Sequence, residues 1–377
     1  MERRARLDAA RRMGCGAGVM LRAVRTLAVF TAVFMAAFGL ELAATPSAFA
    51  AGTTCTQVVT TWGDLTSYFA APTGDCVALG ADITNAGGEN LTVASGQAIT
   101  LDLAGNTLTI SGLTSAIAGI NVADAVTTPV ALAAGTFTVD DSSGGSGHLT
   151  VTGGPTSAGI GGNVGKTAGQ VTITGGTVTA TGGNSTSTGG AGAGIGGGGG
   201  LGSSAGGSGA GLTVSGGTVT AIGGGGIAVG TTGRSGSAAG VGGGGGAANA
   251  LTAGPGGNGF PVVVSGGSLD ASSSAPSGTG GTGGGGAGVG GGGAGTRINT
   301  SGFPARAGGS ESAVTVSGGT LTAMSAADGS LNLAEDVGSG GGTPGMIGPT
   351  PSSTVGAWSI SSGGTLRLER YEFVPRG

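Results

Sequence analysis

The sequence predicts an all-β chain folded as a parallel β-helix with three strands in each coil, and three recurring features support this prediction. Short segments alternate apolar and hydroxyl side chains, which is the period of a half-buried strand. A Gly-Gly pair divides each of these segments into two strands. A third segment, an Ile or Val followed by glycines, recurs once before each of these pairs. Each repeat therefore offers three short strands to a common core.

The first clear repeat reads VTITGGTVTATGG. On an extended strand Val171 and Ile173 point to one side and Thr172 points to the other. Gly175 and Gly176 interrupt the strand, because glycine accepts the positive φ that a sharp corner needs. The alternation then resumes, so two strands meet at a Gly-Gly corner.

Four later segments repeat this pattern with drift: LTVSGGTVTAIGG, VVVSGGSLDASS, VTVSGGTLTAMS and WSISSGGTLRLE. The five glycine pairs start at residues 175, 216, 266, 318 and 363, so the repeats are 41 to 52 residues long. Units of about this length stack on one another in repeat proteins. We expect the repeat corners at Gly175, Gly176, Gly216, Gly217, Gly266, Gly267, Gly318 and Gly319. The glycine-flanked apolar residues are Ile160, Ile195, Val241, Val289 and Val337.

Stacked coils should align their outward side chains in rows. One row is expected to hold Thr172, Thr213, Val263 and Thr315, and another to hold Thr179, Thr220, Asp270 and Thr322. Because neighbouring strands are about 4.8 Å apart, about eight coils would give a column about 40 Å long.

Other architectures fit less well. An up-and-down barrel has strands of even length joined by hairpins and no three-part unit. Collagen is excluded because the 93 glycines show no Gly-X-Y period and prolines number only 12. Glycine and serine tracts such as residues 196–211 are typical of flexible linkers, so the phased apolar positions argue against disorder only for the repeats.

Several of these segments resemble one family. The phrases ITLDLAGNTLTISG, TFTVDDSSGGSGHLTVTGG, GAGIGGG and TVSGGTVTA are similar to the glycine-rich right-handed β-helix repeats of bacterial surface proteins. The resemblance covers roughly residues 84–368. It implies a right-handed coil and an adhesin-like or carbohydrate-binding role at the cell surface.

The N-terminal 50 residues are predicted to be a secretory signal peptide. Seven arginines precede an apolar run of 14 residues at 27–40, shorter than the roughly 20 residues of a membrane span. Small residues then place the cleavage site between Ala50 and Ala51. The alternative is an uncleaved anchor, since the basic region is long. Secretion or display at the cell surface follows, with no membrane contact beyond this segment.

The chain after residue 50 is acidic, with seven basic and fifteen acidic residues, a net charge of −8. Nucleic acid and anionic membrane surfaces are excluded as partners, because both attract clustered Lys and Arg. An exported chain with two cysteines in this region favours a disulfide between Cys55 and Cys76 over free thiols. Between them Trp62, Leu65, Tyr68 and Phe69 have helical spacing, with Thr61 as N-cap.

The sequence therefore divides into four parts after the signal peptide. Residues 51–83 are predicted to form an N-terminal cap, in which the short helix covers the first coil. Residues 84–144 form the first irregular coils, and residues 145–338 form the regular glycine-rich repeats. Residues 339–377 form a closing coil and tail with aromatic cover from Trp358, Tyr371 and Phe373.

We predict no catalytic site. Asp140-Asp141 followed by Gly147-His148 resembles the paired aspartates and Gly-His of polygalacturonase-like enzymes, but the spacing differs. The nearest match to their Arg-Ile-Lys segment is RIN at Arg297. Adjacent carboxylates on one strand do not reach opposite sides of a glycosidic bond, so turn capping is the favoured role of both aspartates.

We also predict no metal or cofactor. His148 is the only histidine, so it forms no zinc site alone. In GGSGHLTV it stands where the calcium-binding nonapeptide has Asp. The GKT of residues 165–167 lacks the first glycine of a phosphate loop, because position 160 is Ile.

The predicted function is that of an exported, non-catalytic surface protein, adhesive or structural, with glycans or other surface proteins as partners. One alternative is a polysaccharide lyase or glycoside hydrolase. A second is an ice-binding protein that uses the outward threonine rows, although Val263 and Asp270 interrupt them.

Overall fold

The computed structural model describes most of the chain that follows residue 54. All described residues belong to the compact unit Phe49–Gly377. The predicted cleavage site at Ala50 and Ala51, and Tyr371 and Phe373 of the tail, lie outside them. The described ranges are 55–74, 76–85, 87–127, 131–186, 189–209, 211–229, 233–249, 252–277, 283–297, 306–311, 313–326, 334–342 and 358–368.

Three long parallel sheets dominate this part of the chain. Sheet A holds nine strands: β1 (Gln57–Val59), β2 (Cys76–Leu79), β5 (Ala98–Asp102), β8 (Thr136–Asp140), β11 (Gln170–Ile173), β14 (Gly211–Val214), β19 (Val262–Val264), β23 (Val314–Val316) and β26 (Trp358–Ile360). Sheet B holds eight: β3 (Ile83–Asn85), β6 (Thr107–Ile110), β9 (His148–Thr152), β12 (Thr177–Thr181), β15 (Thr218–Gly223), β20 (Ser268–Ser273), β24 (Gly319–Met324) and β27 (Gly364–Leu368). Sheet C holds seven: β4 (Leu91–Val93), β7 (Ile120–Val122), β10 (Ile160–Gly161), β13 (Ile195–Gly196), β18 (Val241–Gly242), β21 (Val289–Gly290) and β25 (Val337–Gly338). A small antiparallel sheet joins β16 (Ala228–Val229), β17 (Gly233–Arg234) and β22 (Thr296–Arg297).

The chain visits the three long sheets in a fixed order. From β2 to β25 each strand of sheet A is followed by one of sheet B and then one of sheet C, and from β5 onward each strand of these sheets pairs in parallel with its counterpart one round earlier. The small sheet is the one interruption of this order in the described residues. The predicted all-β class with parallel sheets is confirmed.

The core consists of aliphatic ladders that run through the sheets. In sheet A the inward residues pair in register from Val77 to Val316 and each is at most 1 % exposed: Val77, Leu101, Val139, Ile173, Val214, Val264 and Val316. In sheet C, Ile120, Ile160, Ile195, Val241, Val289 and Val337 form the equivalent ladder. Burying one such side chain stabilises the fold by about 1.5–3 kcal/mol.

The described residues contain one helix, α1 (Trp62–Ala70). Thr61 is its N-cap, as expected, because the Thr61 hydroxyl accepts a hydrogen bond from the Asp64 amide at 3.2 Å. Leu65, Tyr68 and Phe69 are buried, and the helix contacts β3 and β4. The predicted disulfide between Cys55 and Cys76 is present, with Cα atoms 5.2 Å apart. No described helix is long and apolar enough to cross a membrane.

The Gly-Gly pairs lie at the corners between sheets A and B. In the first four pairs the second glycine adopts a left-handed φ, of +74° at Gly176, +74° at Gly217, +67° at Gly267 and +71° at Gly319, whereas in the fifth pair the first glycine, Gly363, does so at +107°. A Cβ at Gly217 would lie 2.4 Å from the Gly176 oxygen, and a Cβ at Gly267 would lie 2.4 Å from the Gly217 oxygen. Successive corners therefore lie directly against one another.

In the sequence, glycine-rich segments connect strands of sheet B to the next strands of sheet A through sheet C. These segments also stack on one another. Between β12 and β14 four segments lie side by side, at residues 182–186, 189–194, 197–200 and 204–209. Backbone hydrogen bonds join Gly192 to Gly183, Gly190 to Gly200 and Gly207 to Gly198, each between adjacent segments. Later glycine-rich segments repeat this arrangement, and we name the whole stack the glycine bundle.

Residues 243–246 show how the glycine bundle is held together. All four amides donate to other segments, to the oxygens of Gly290, Gly207, Ala191 and Gly293 at 2.8–2.9 Å. All four carbonyl oxygens accept from other segments, from the amides of Ala239, Gly257, Gly200 and Gly236. These partners belong to six surrounding segments, so every polar group of the backbone is satisfied without a side chain.

Glycine is required there by the closeness of neighbouring backbones. A Cβ at Gly244 would lie 2.2 Å from the Gly198 oxygen, well inside van der Waals contact. Residues 196–200 are all buried, so the linker interpretation is wrong for this part of the tract 196–211. The many glycines are thus largely a packing requirement.

We expect Gly244→Ala to lower the free energy of unfolding by at least about 3 kcal/mol, because backbone atoms cannot yield to the new methyl group. Gly63→Ala in α1 is the matched control, since its Cβ meets nothing closer than 4.0 Å and alanine favours a helix. Denaturant unfolding of both variants measures the difference. Equal stability of the two proteins would contradict backbone contact as the reason for glycine.

A second pair of variants separates corner contact from backbone strain. Gly202 has φ +69°, similar to Gly217, but a Cβ there would have no neighbour within 4 Å. Gly202→Ala should cost about 1–2 kcal/mol, the penalty of the left-handed conformation. Gly217→Ala should cost clearly more in the same denaturation experiment, and a cost no larger than that of Gly202→Ala would refute close stacking of the corners.

Candidate functional site

The outer face of sheet B carries hydroxyl side chains in straight rows. The register aligns Thr179 with Thr220, Asp270 and Thr322, as the sequence predicts. The strands carry three such rows, numbered here in the direction of the chain. The row that contains Thr179 is the second, and it consists of Thr84, Thr109, Thr150, Thr179, Thr220, Asp270, Thr322 and Arg367. The first row is Thr107, His148, Thr177, Thr218, Ser268, Thr320 and Thr365, and the third is Thr152, Thr181, Ile222, Ser272 and Met324.

Three neighbouring strands of this face carry threonine almost without interruption. We name this area the threonine patch, and it consists of Thr150 and Thr152 on β9, Thr177, Thr179 and Thr181 on β12, and Thr218 and Thr220 on β15. Thr150 and Thr218 are exposed and the others are half-buried. The β-branched side chain of threonine has few rotamers, so a fixed backbone also fixes its hydroxyl and methyl groups. The patch is therefore a neutral and pre-ordered surface.

Sheet A presents a single row of threonines, beside a row that is mostly serine: Thr174, Ser215, Ser265 and Ser317 follow its strands in the same backbone register. Thr138, Thr172, Thr213, Val263 and Thr315 are aligned as the sequence predicts. Two residues before these threonines the outward positions hold unlike residues, such as Gln170 on β11 and its partner Gly211 on β14. An array of threonines in adjacent rows over three consecutive strands is thus particular to sheet B.

Asp140 and Asp141, the aspartates that resemble a catalytic pair, accept hydrogen bonds that stabilise the local backbone. The Asp141 carboxylate is 6 % exposed and accepts the amides of Gly105 at 2.9 Å, Gly145 at 2.8 Å and Gly147 at 2.8 Å. It also accepts the Ser143 hydroxyl at 2.6 Å. Burial alone would raise the pKa of Asp141, but these hydrogen bonds outweigh it and hold the pKa below its ordinary value. Turn capping is the role that these contacts describe.

The turn that Asp141 organises is the corner between β8 and β9. A Cβ at Gly175 would lie 2.9 Å from the Asp141 amide, so the first Gly-Gly corner stacks directly on this turn. Asp140 accepts the Thr174 hydroxyl at 2.8 Å, which adds a second contact between the two corners. The turn between β8 and β9 thus uses a carboxylate at the place where the later corners between sheets A and B use glycine.

The remaining motif residues also have structural positions. His148 is exposed in the first row of sheet B, between Thr107 and Thr177. Arg297 pairs through its backbone with Gly233 in the small sheet. In the GKT segment the Gly165 amide donates to the Gly199 oxygen at 2.7 Å, so a neighbouring segment of the glycine bundle already uses an amide that a phosphate loop would need. Among the described residues no group of three or more His, Cys, Asp or Glu side chains is placed to hold a metal ion.

Sequence reasoning found the second row of sheet B but missed its first and third rows. The signal was present as T-x-T-x-T in TVTAT, where alternate residues of one strand share a face. Comparison with family models, curated proteins and solved structures finds no match to this chain.

We expect Asp141→Asn to lower the free energy of unfolding at neutral pH by about 2 kcal/mol, because the buried amides lose a charged acceptor. In the native protein the pKa of Asp141 is lowered, so its contribution is complete above the unfolded value of about 3.9 and disappears as pH falls below it. Denaturant unfolding between pH 2 and 7 should therefore show a smaller acid-induced loss in the variant. Asp124→Asn, at an exposed side chain, is the control, and equal pH profiles for Asp141→Asn and native protein would refute this role.

Proposed function

We propose that the three long sheets are the faces of a right-handed parallel β-helix of the glycine-rich surface-protein type. The fixed order of the sheets supports a coil, because each round returns the chain to the neighbouring strand of sheet A. Crossovers between parallel strands of one sheet are right-handed in nearly all proteins, which supports the hand.

Helix α1 is proposed to be the N-terminal cap of this coil. Phe69 is buried in the core and its ring centroid lies 6.2 Å from that of Phe137 on β8. The disulfide joins Cys55, just before β1, to Cys76 at the start of β2. A covered end protects the open backbone edges of the first coil from pairing with other chains.

The proposed role is that of an exported, non-catalytic scaffold that adheres to glycans or to other surface proteins. Continuous backbone hydrogen bonding through the glycine bundle is the observation that carries it, since such a column presents its outer faces in fixed positions. The disulfide favours an oxidising compartment, in agreement with the predicted signal peptide. The Asp141 carboxylate accepts hydrogen bonds from the amides of Gly105 and Gly147 in the corner turn, and this structural role supports a function without catalysis.

The test is a glycan array probed with the purified chain, followed by incubation with a panel of soluble and insoluble polysaccharides. We expect retention on at least one class of neutral glycan and no release of reducing ends. Binding should persist in Asp140→Asn, because no catalytic carboxylate is involved.

Two results would contradict the proposal. Absence of retention on every glycan and on bacterial surfaces would remove the adhesive role. Release of reducing ends that Asp140→Asn abolishes would replace the scaffold with a polysaccharide-cleaving enzyme.

A further inference from the structure

We infer that the threonine patch of sheet B is an ice-binding face. This inference goes beyond the scaffold role and does not depend on glycan binding, so each can fail without the other. It rests on the two-dimensional register of seven threonines, on their chemistry, and on the contrast with sheet A.

The spacing of the rows suits a lattice of water molecules. Neighbouring strands are about 4.8 Å apart, so threonines in one row repeat at about that distance. Two waters bonded to a common tetrahedral neighbour lie about 4.5 Å apart, because an O–H···O hydrogen bond is about 2.75 Å long. Thr150, Thr179 and Thr220 can therefore meet three successive waters of one such row.

The strand spacing of about 4.8 Å exceeds the water spacing of about 4.5 Å, and this difference limits the size of a patch that can match the water lattice. A difference of about 0.3 Å per strand accumulates to about 0.6 Å over three strands and to about 1.8 Å over seven. The larger value approaches half of the water repeat, at which the two lattices are out of step. The three strands of the patch thus stay in step with the water lattice, and Asp270 on β20 ends the row on one side, whereas Thr109 and Thr84 continue it on the other.

The chemistry of the patch favours ice over a sugar polymer. Each threonine offers one hydroxyl to donate or accept and one methyl group to displace loosely held water. Proteins that bind sugars by stacking a sugar ring on an aromatic side chain need exposed aromatic rings. The described rows of sheet B contain no Trp, Tyr or Phe. None of the seven side chains is charged, so the face does not select an ionic ligand.

The strands beneath the patch are firmly held. β12 pairs with β9 and β15 over five residues on each side. Beneath the outward threonines lie Leu149, Val178 and Val219, all at 0 % exposure. Little conformational entropy remains to be lost when a rigid lattice docks on such a surface.

The same coil supplies a matched control. Thr172 and Thr179 flank one Gly-Gly corner, both are half-buried and outward, and each has threonine as its partner on both neighbouring strands. Thr172 belongs to the single threonine row of sheet A, whereas Thr179 lies at the centre of the patch. A lysine at either position adds the same bulk and charge.

The experiment measures thermal hysteresis and adsorption to growing ice for the purified chain and for Thr179→Lys, Thr218→Lys and Thr172→Lys. We expect the native chain and Thr172→Lys to arrest ice growth to a similar extent. Both patch variants should lose most of that activity. Thermal unfolding checks that each variant is folded, and Thr218, which is exposed, remains informative if Thr179→Lys is unstable.

Three outcomes would overturn the inference. The native chain could show neither hysteresis nor adsorption to ice. All three variants could lose activity equally, which would make the effect one of stability. Retention on crystalline cellulose or chitin, abolished by the patch variants while ice growth is unaffected throughout, would instead assign the patch to a polysaccharide.

Discussion

The hydrogen bond between one backbone and the next, made where no side chain intervenes, is the interaction on which this structure depends. In the glycine bundle a carbonyl oxygen lies too close to allow a Cβ, as at Gly244, where the Gly198 oxygen is 2.2 Å from the position that a Cβ would take. The aliphatic ladders supply the hydrophobic stabilisation, but Ile195 and its equivalents reach the core only because the surrounding segments can pack this closely. The outer rows in turn inherit their register from the same stack.

Much of this arrangement follows from local patterns in the sequence. Alternation of period two identified the inward Val171 and Ile173 and the outward Thr172, because side chains on a strand point to opposite faces. Thr61 and the helical spacing after it identified α1, and the two cysteines that follow residue 50 identified the disulfide. Each of these signals depends on a few neighbouring residues, so sequence alone was sufficient.

The glycine bundle could not be predicted in the same way. A run such as residues 196–200 has no side chains and hence no periodicity, so a solvated linker and a buried segment look alike in sequence. What distinguishes them is the set of backbone partners, such as Gly200 with Gly245, which lie 45 residues apart. The role of Asp141 was only partly predictable, because its contact with Gly105 joins residues 36 positions apart in the sequence.

The fixed order of sheets A, B and C has a further consequence for how such a chain can change in length. Each set of three strands, one from each sheet, presents to the next set the same kind of backbone edges that it pairs with itself. A set that is duplicated would therefore find matching strand edges on both sides. Point substitutions inside the bundle meet the neighbouring carbonyl oxygens, whereas the rounds from β11 to β25 share one pattern of strand pairing. Gain or loss of a complete round is therefore the change in length that this strand order accommodates with the fewest new backbone contacts.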